Sequence, residues 1–208
     1  MPRPPRCLPI NAAIHVTNRG NDRRQIFLQP ADYEDLLGLM RDGLVRHAVD
    51  VVGYNAMPNH VHFVLRQQEQ GAISAYMHQI TCITARNFRW ATSSSGEGHV
   101  FQRRFWSRVV TGEPEFVSML KYVEANAKDA GLVERAEDWR GGSLWERVHP
   151  ERRILAPSPV ALPENWIQEV NFPLPEDVLT RLRSPIPRGR PRTTHHPVST
   201  AGDADLLM

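Results

Sequence analysis

Two periods alternate along this chain: apolar residues at every second position over short runs, and at every third or fourth over longer ones. Ala12 to Thr17 has the strand period and is closed by the turn formers Asn18, Gly20, Asn21 and Asp22. Pro30 and Asp32 open a helical pattern whose stripe is Tyr33, Leu36, Leu37, Met40, Leu44 and Val45, ending near His47. Val49 to Tyr54 returns to the strand period. Met57-Pro58-Asn59 joins it to the run from His60 to Leu65, close enough for an antiparallel pair. Ile73, Met77, Ile80, Ile83, Thr84, Phe88 and Trp90 mark a second long helix, broken at Ser93 to Gly98. His99 to Val110 is extended, aromatic and basic, and predicts a fourth strand. Thr111 to Glu115 opens a third helix with acids where the helix dipole favours them. Phe116, Met119, Leu120 and Val123 form its apolar side, and Gly131 ends it.

The order strand, helix, strand, strand, helix, strand is the split βαβ arrangement twice over. It predicts an α+β fold: a ferredoxin-like four-stranded antiparallel sheet with two helices on one face and one further helix. That third helix belongs on the open face. Before the first strand, residues 1–11 carry four prolines and predict an arm without regular structure. Nine of the 17 prolines fall between Pro157 and Pro197, where no sustained period survives. The chain therefore divides into a domain over 1–150 and a Pro/Arg-rich C-terminal extension over 151–208. The extension is expected to be largely disordered, with a helical turn near Glu176 to Leu182 and disorder from about Ser184.

Composition sharpens this picture in three places. The formal charge of +2 on 208 residues does not by itself announce a nucleic-acid partner. The arginines are clustered, however: Arg19, Arg23 and Arg24 early, Arg103, Arg104 and Arg108 in the middle, and Arg181, Arg183, Arg188, Arg190 and Arg192 late. Each cluster is either a phosphate-binding patch or solvated surface. Two cysteines, Cys7 and Cys82, exclude a disulfide scaffold and a cysteine-based zinc site. The start leads into no long apolar run and no stretch has the length of a membrane span, so a soluble cytoplasmic protein is expected.

The chemistry concentrates at His60-Val61-His62. In a strand the two imidazoles share one face while Val61, Phe63 and Leu65 point to the other. That makes a pair of nitrogen donors for a divalent metal. Nine histidines in the chain also make one such pair an ordinary coincidence, two half-exposed rings on a plain sheet. On the third helix, Tyr122 and Asn126 are one turn apart and share a face. Tyrosine is a phenolic nucleophile and asparagine an amide-oxygen ligand. Placed over the histidines, Asn126 would complete a site of two nitrogens and one oxygen suited to Mg²⁺ or Mn²⁺. The plainer reading is a core tyrosine and an exposed asparagine. Phe101, Phe105 and Trp106 likewise either fill the core or stack on bases.

His60-Val61-His62, Tyr122-Val123-Glu124-Ala125-Asn126, Ala130-Gly131-Leu132-Val133 and Asp138-Trp139-Arg140 together resemble the single-tyrosine HUH transposases. Ile14 to Phe27, with His15-Val16-Thr17-Asn18-Arg19-Gly20-Asn21, and Tyr54 to His62 are similar to the first strand and histidine strand of REP-associated tyrosine transposases. The likeness covers about residues 8–145. Two blocks depart from it: Ala127-Lys128-Asp129 follows Asn126 where the family tends to have Pro and Arg, and Gly141-Gly142 replaces a usual Trp-Ser.

The resemblance implies that His60 and His62 bind the metal, that Asn126 is the third ligand and that Tyr122 is the nucleophile. It implies a transposase that cleaves and rejoins single-stranded DNA at hairpin-associated sites through a 5′-phosphotyrosine, nucleoid-associated, as monomer or homodimer. Arg19, Arg23, Arg24, Arg103, Arg104 and Arg108 are the candidate phosphate contacts. Arg188 and Arg190 join them within Pro187-Arg188-Gly189-Arg190-Pro191-Arg192, either an AT-hook-like minor-groove segment or a general basic tail. A phenol is weakly acidic, so attack at neutral pH needs a base or nearby positive charge, which the residues do not identify. The alternative is a catalytically silent hairpin-binding module of the same fold. A replication initiator or relaxase ranks last, because the histidines precede the tyrosine and neither a second nearby tyrosine nor a third clustered histidine appears.

Overall fold

A computed structural model describes residues 6–94 and 98–183. Strands β1 (Ile14–Arg19), β2 (Val49–Met57), β3 (His60–Gln67) and β4 (Trp106–Val109) form one sheet in the order β2-β3-β1-β4. Every neighbouring pair is antiparallel. Helices α1 (Pro30–Arg46) and α2 (Ala72–Ala91) lie between strands in sequence, as the ferredoxin-like order requires, and α3 (Glu113–Asp129) follows β4.

Alternation along the strands gives the sheet two apolar faces. Ile14, Val16, Val61, Phe63, Leu65, Tyr54 and Ala56 turn toward Leu36, Leu37 and Met40 of α1 and Ile73, Met77 and Ile80 of α2. Val52 and Val64 turn the other way and pack with Phe116, Met119, Leu120 and Val123 of α3. The third helix thus covers the face that the histidines share. Its approach is close: a Cβ on Gly53 would stand 2.4 Å from Leu120 Cδ1, and β2 bulges there, between Val51 and Gly53.

The helix ends follow their residues. Pro30 occupies the first turn of α1, and the Asp32 carboxylate accepts from the backbone N–H of Leu28 and Gln29. In α3, Glu115 accepts from the N–H and hydroxyl of Thr111. Gly131, at φ 72°, takes the left-handed position that stops the helix.

Expectations for the 99–110 strand and for two helix residues change. The expected strand over 99–110 shrinks to Trp106–Val109, with an isolated bridge between Phe101 and Gly20. The intervening Arg103 and Arg104 bend outward into solvent rather than sitting on a pleat. Val45 and Trp90 lie on the outer sides of their helices, 88% and 87% exposed, because the packed stripes end at Leu44 and Phe88. The arm over residues 6–11 has no regular structure yet is pinned, Gln67 donating to the Leu8 carbonyl at 2.7 Å.

The extension beyond 150 is also less open than expected. Helix α4 (Ser143–Val148) precedes it, α5 (Trp166–Asn171) lies within it, and α6 (Glu176–Arg183) stands where a helical turn is expected. Trp166, Val170 and Leu182 are buried in the α3 core, which a few well-spaced apolar residues achieve without a long period. Residues 1–5, 95–97 and 184–208 lie outside the described residues, and with them Arg188, Arg190 and the Arg-Gly-Arg-Pro segment. Among the described residues no helix is long and apolar enough to cross a membrane.

Buried carboxylates tie this C-terminal part to the sheet. Glu124, 1% exposed, accepts from Ser143 Oγ at 2.6 Å, Arg147 Nε at 2.8 Å and Trp166 Nε1 at 2.7 Å. Glu146 accepts from the Tyr54 hydroxyl at 2.8 Å and from the N–H groups of Ile154 and Leu155. A buried charge stripped of its partner is strongly destabilising. Glu124→Ala, which strips Arg147 of its counter-charge and the Trp166 N–H of its acceptor, is expected to lower unfolding free energy by about 3 to 5 kcal/mol in urea denaturation. A loss below about 1 kcal/mol would mean that these groups find water instead.

Candidate active site

Register brings three histidines together, where the sequence shows only the His60–His62 pair: a third, His15, joins them from β1. On β3, His62 stands opposite Thr17 of β1, and His60 opposite Arg19. His15 lies two residues back along β1, on the same face as Thr17, opposite Arg108 of β4. His15 Nε2 and His62 Nδ1 are 2.9 Å apart. Their rings are parallel to within 4° with centres 5.2 Å apart. With the nitrogens so close, that separation requires the rings to share a plane, edge to edge. His60 stands at 75° to His62 with ring centres 4.9 Å apart. Trp106 closes the β4 side, its ring 5.6 Å from His15.

Helix α3 lowers Tyr122 onto this group. The tyrosine ring is perpendicular to both coplanar imidazoles, 5.8 Å from His62 and 6.2 Å from His15. The height of the helix is set beside it: Asn55, across from His62 on β2, donates to the carbonyl of Val123 at 2.9 Å. One turn on, the Asn126 amide nitrogen donates to the Tyr122 carbonyl at 3.0 Å, and among the described residues no hydrogen bond engages the amide oxygen. Tyr122 and Asn126 are both half-buried, neither fully core nor fully exposed.

The donor set fits a divalent ion. His60 Nδ1 is held by Asn59 Oδ1 at 2.6 Å and His62 Nδ1 by His15, so among the described residues no hydrogen bond occupies either Nε2. Two imidazole nitrogens and one amide oxygen suit a borderline or hard cation that keeps open positions for substrate oxygen. No three His, Cys, Asp or Glu side chains gather into a metal-binding group among the described residues. An ion here would depend on Asn126 and on its substrate for further ligands.

The early and middle arginine clusters converge at the His60 end of the sheet. Gly20 N–H donates to the Asn59 carbonyl at 2.8 Å, and the Asn59 amide donates to the Arg23 carbonyl at 3.1 Å. Gln102 N–H donates to the Arg19 carbonyl at 2.9 Å, which brings the segment bearing Arg103 and Arg104 alongside. Asp22 and Arg23 both take positive φ, 50° and 58°, in the tight loop between them. The segments bearing Arg19, Arg23, Arg24, Arg103 and Arg104 therefore meet at this end of the sheet, and the Arg19 charge acts on His60 and His62.

Arg108 does not join them. Its guanidinium pairs with Glu115 and donates to the Arg181 carbonyl at 2.8 Å, with a side chain only 10% exposed. It fastens α6 and α3 to the edge strand and is not placed to meet a phosphate. Of the three strand aromatics, Phe105 is buried in the α1/α2 core and Phe101 packs against it, while Trp106 lines the site.

His15 and Asn55 were not singled out by sequence reasoning. Alternation along β1 shows that His15 and Thr17 share a face. Only pairing with β3 shows that this face is the one with His60 and His62.

Burial governs the electrostatics. It holds the His15 imidazole down to about 4, with the Arg108 charge adding to the effect. It holds His60 down to about 4, with Arg19 second. It holds His62 well below the ordinary histidine range, reinforced by His15, His60 and Arg19. All three rings are neutral at pH 7, the state in which imidazole nitrogens ligate metals.

These features define a class: a ferredoxin-like α+β domain carrying a histidine pair and a helix-borne tyrosine on one sheet face. The profile of the family described as "Transposase IS200 like" matches residues 10–126, more than half of the chain. The protein belongs to the IS200-like transposase family. Its fold is that of a REP-associated tyrosine transposase solved bound to a REP hairpin, at a TM-score of 0.57 and 17% identity, over 79% of this chain and 96% of that one. A candidate transposase from Deinococcus radiodurans R1 is also similar, at a TM-score of 0.41 and 17% identity, over 59% of this chain and 95% of that one. No curated protein matches the sequence.

Neutral buried imidazoles make stability depend on pH in a defined direction. Unfolding frees the rings to bind protons near pH 6.5, which the folded state refuses until about pH 4. With chelator present, the urea midpoint is expected to be flat above about pH 7 and to fall as pH drops from 6.5 toward 4. His62→Gln should make that fall shallower. A midpoint that stays level from pH 7 to 4.5 would contradict neutral burial of the rings.

Proposed function

We propose that this transposase cleaves and rejoins single-stranded DNA at hairpin-associated sites, with Tyr122 as its nucleophile. The observation that carries the reading is the Tyr122 ring, standing over the His15–His62 pair at 5.8 Å from His62. It is supported by family membership over residues 10–126 and by the fold shared with a transposase solved on a REP hairpin. Tyrosine and histidines meet within one chain, so this reading needs no second copy to complete the site.

In this reading His60, His62 and Asn126 hold a divalent cation, Mg²⁺ or Mn²⁺. When bound, that ion withdraws charge from the scissile phosphate and orients it. The Tyr122 oxygen attacks phosphorus and forms a tyrosyl–phosphate bond to the 5′ side of the break. The bond to the 3′ oxygen breaks, the tyrosine proton leaves, and the departing oxygen takes up a proton to become a free 3′-hydroxyl. The covalent link conserves the phosphodiester's energy, so another 3′-hydroxyl reverses the step and joins strands without a nucleotide cofactor.

The arginine rim supplies the remaining demand. Arg19, Arg23, Arg24, Arg103 and Arg104 offer phosphate contacts where a strand would approach His60, and Trp106 offers an aromatic surface beside the histidines. Rim contacts of this kind carry little sequence information, so target choice falls to the shape of a hairpin and its flanking bases.

Hairpin oligonucleotides from the DNA flanking the gene are expected to form a covalent adduct with the native protein in Mn²⁺ or Mg²⁺. The adduct should survive denaturing electrophoresis, vanish in Tyr122→Phe, and fall at least 100-fold in His62→Ala. Tight hairpin binding without adduct in any variant would replace the enzyme by a DNA-binding module of the same fold.

A further inference from the structure

Each histidine of the pair is gripped at the same atom by a different neighbour. Asn59 Oδ1 meets His60 Nδ1 at 2.6 Å, and His15 Nε2 meets His62 Nδ1 at 2.9 Å. The orientation of the Asn59 amide is not arbitrary, because its nitrogen donates to the Arg23 carbonyl at 3.1 Å. The atom facing His60 must therefore be the amide oxygen, an acceptor only. His60 donates from Nδ1, and its Nε2 is left as a bare lone pair.

We propose that Asn59 and His15 are the positioning residues of the histidine pair: each holds one Nδ1–H so that both Nε2 lone pairs are presented together. This rests on the reading of His60 and His62 as ligands. Ligating imidazoles are commonly fixed by a partner on the second nitrogen, which selects the tautomer and the ring plane. The coplanar, edge-to-edge meeting of His15 and His62 is the geometry of an in-plane N–H···N bond, and it fixes the His62 ring against rotation.

Tautomer choice makes the proposal sharp. If the shared proton sits on His62, its Nε2 is free, and His15 carries its own proton on Nδ1, an atom buried without a partner among the described residues. If the proton sits on His15 instead, His62 is protonated at Nε2 and cannot ligate. The proposal requires the first arrangement, an unpartnered N–H retained beside the site. Asn59 also couples the site to the arginine loop, since the same amide that holds His60 holds Arg23. Movement of that loop is thereby felt at the His60 ring.

The test reads ring nitrogens directly. Long-range ¹H–¹⁵N spectra of the metal-free protein should show His60 and His62 both protonated at Nδ1 and bare at Nε2. Asn59→Ala should release the His60 tautomer, and His15→Leu that of His62, each with Mn²⁺ affinity about 10-fold weaker by titration calorimetry. Asn59→Asp and His15→Gln, which keep an acceptor, should restore most of that loss. Circular dichroism checks that the variants fold, and Asn59, in a turn outside the core, keeps the test open should His15→Leu unfold. A native His62 protonated at Nε2, or Mn²⁺ affinity unchanged in folded Asn59→Ala and His15→Leu, would overturn the proposal. Native protein that binds no Mn²⁺, or binds it equally after His60→Ala, would instead sink the metal reading, while the ring spectra still decide what Asn59 and His15 do.

Discussion

The buried carboxylate of Glu124 is the interaction on which the arrangement of this molecule depends. It faces away from the histidines, between Tyr122 and Asn126 in sequence, and takes hydrogen bonds from Ser143 and Arg147 of α4 and from Trp166 at the start of α5. Arg147 in turn donates to the Val52 carbonyl of β2 at 2.8 Å. One fully partnered charge thus joins the tyrosine helix, the C-terminal segment and the sheet. Such a network fixes geometry more reliably than apolar packing alone, because each partner has a direction as well as a depth. A helix that must deliver a phenol within reach of two imidazoles has use for that precision.

The sheet answers a competing demand. Both faces are buried, yet one must also carry polar chemistry. The two halves of that face divide the work along the strands: Val52 and Val64 pack under α3, while His62, His60 and Arg19 follow toward the end where the arginine loops gather. The imidazoles tolerate burial because they remain neutral and because His15 and Asn59 satisfy one nitrogen each of His62 and His60. Charge is kept at the rim. Arg108, beside His15 on the edge strand, is paired with Glu115 and held by the carbonyls at the end of α6.

The two departures from the resembled family fall where the structure can absorb them. Gly141 accepts from Ala56 N–H at 2.8 Å, and a Cβ there would stand 2.8 Å from Trp139 Nε1 and 3.0 Å from the Ala56 carbonyl. The glycine pair therefore lets the chain lie against β2 beside the histidine turn, while Trp139 donates to that same carbonyl. Ala127-Lys128-Asp129 simply completes the last turn of α3 before Gly131.

Much of the fold was legible in the residues. Periods of two and of three to four, with Pro30, Gly131 and the turn at Pro58-Asn59 as punctuation, determine the elements, their order and the shared face of His60 and His62. Local signals failed where packing outvoted them: the 99–110 run looks extended throughout but pairs only at its end, and Trp166, Val170 and Leu182 find a core without a sustained period. The alternation that places His15 with Thr17 and Arg19 is visible along β1, yet nothing local says what lies across from it. Partners on β3 and β4 are some 45 and 90 residues away, and the register of their hydrogen bonds makes His15 the neighbour of His62. The same long-range pairing turns Arg108 from a phosphate contact into a clasp. Sequence determines which side chains share a face; only the closed sheet, through contacts between distant segments, decides which faces meet.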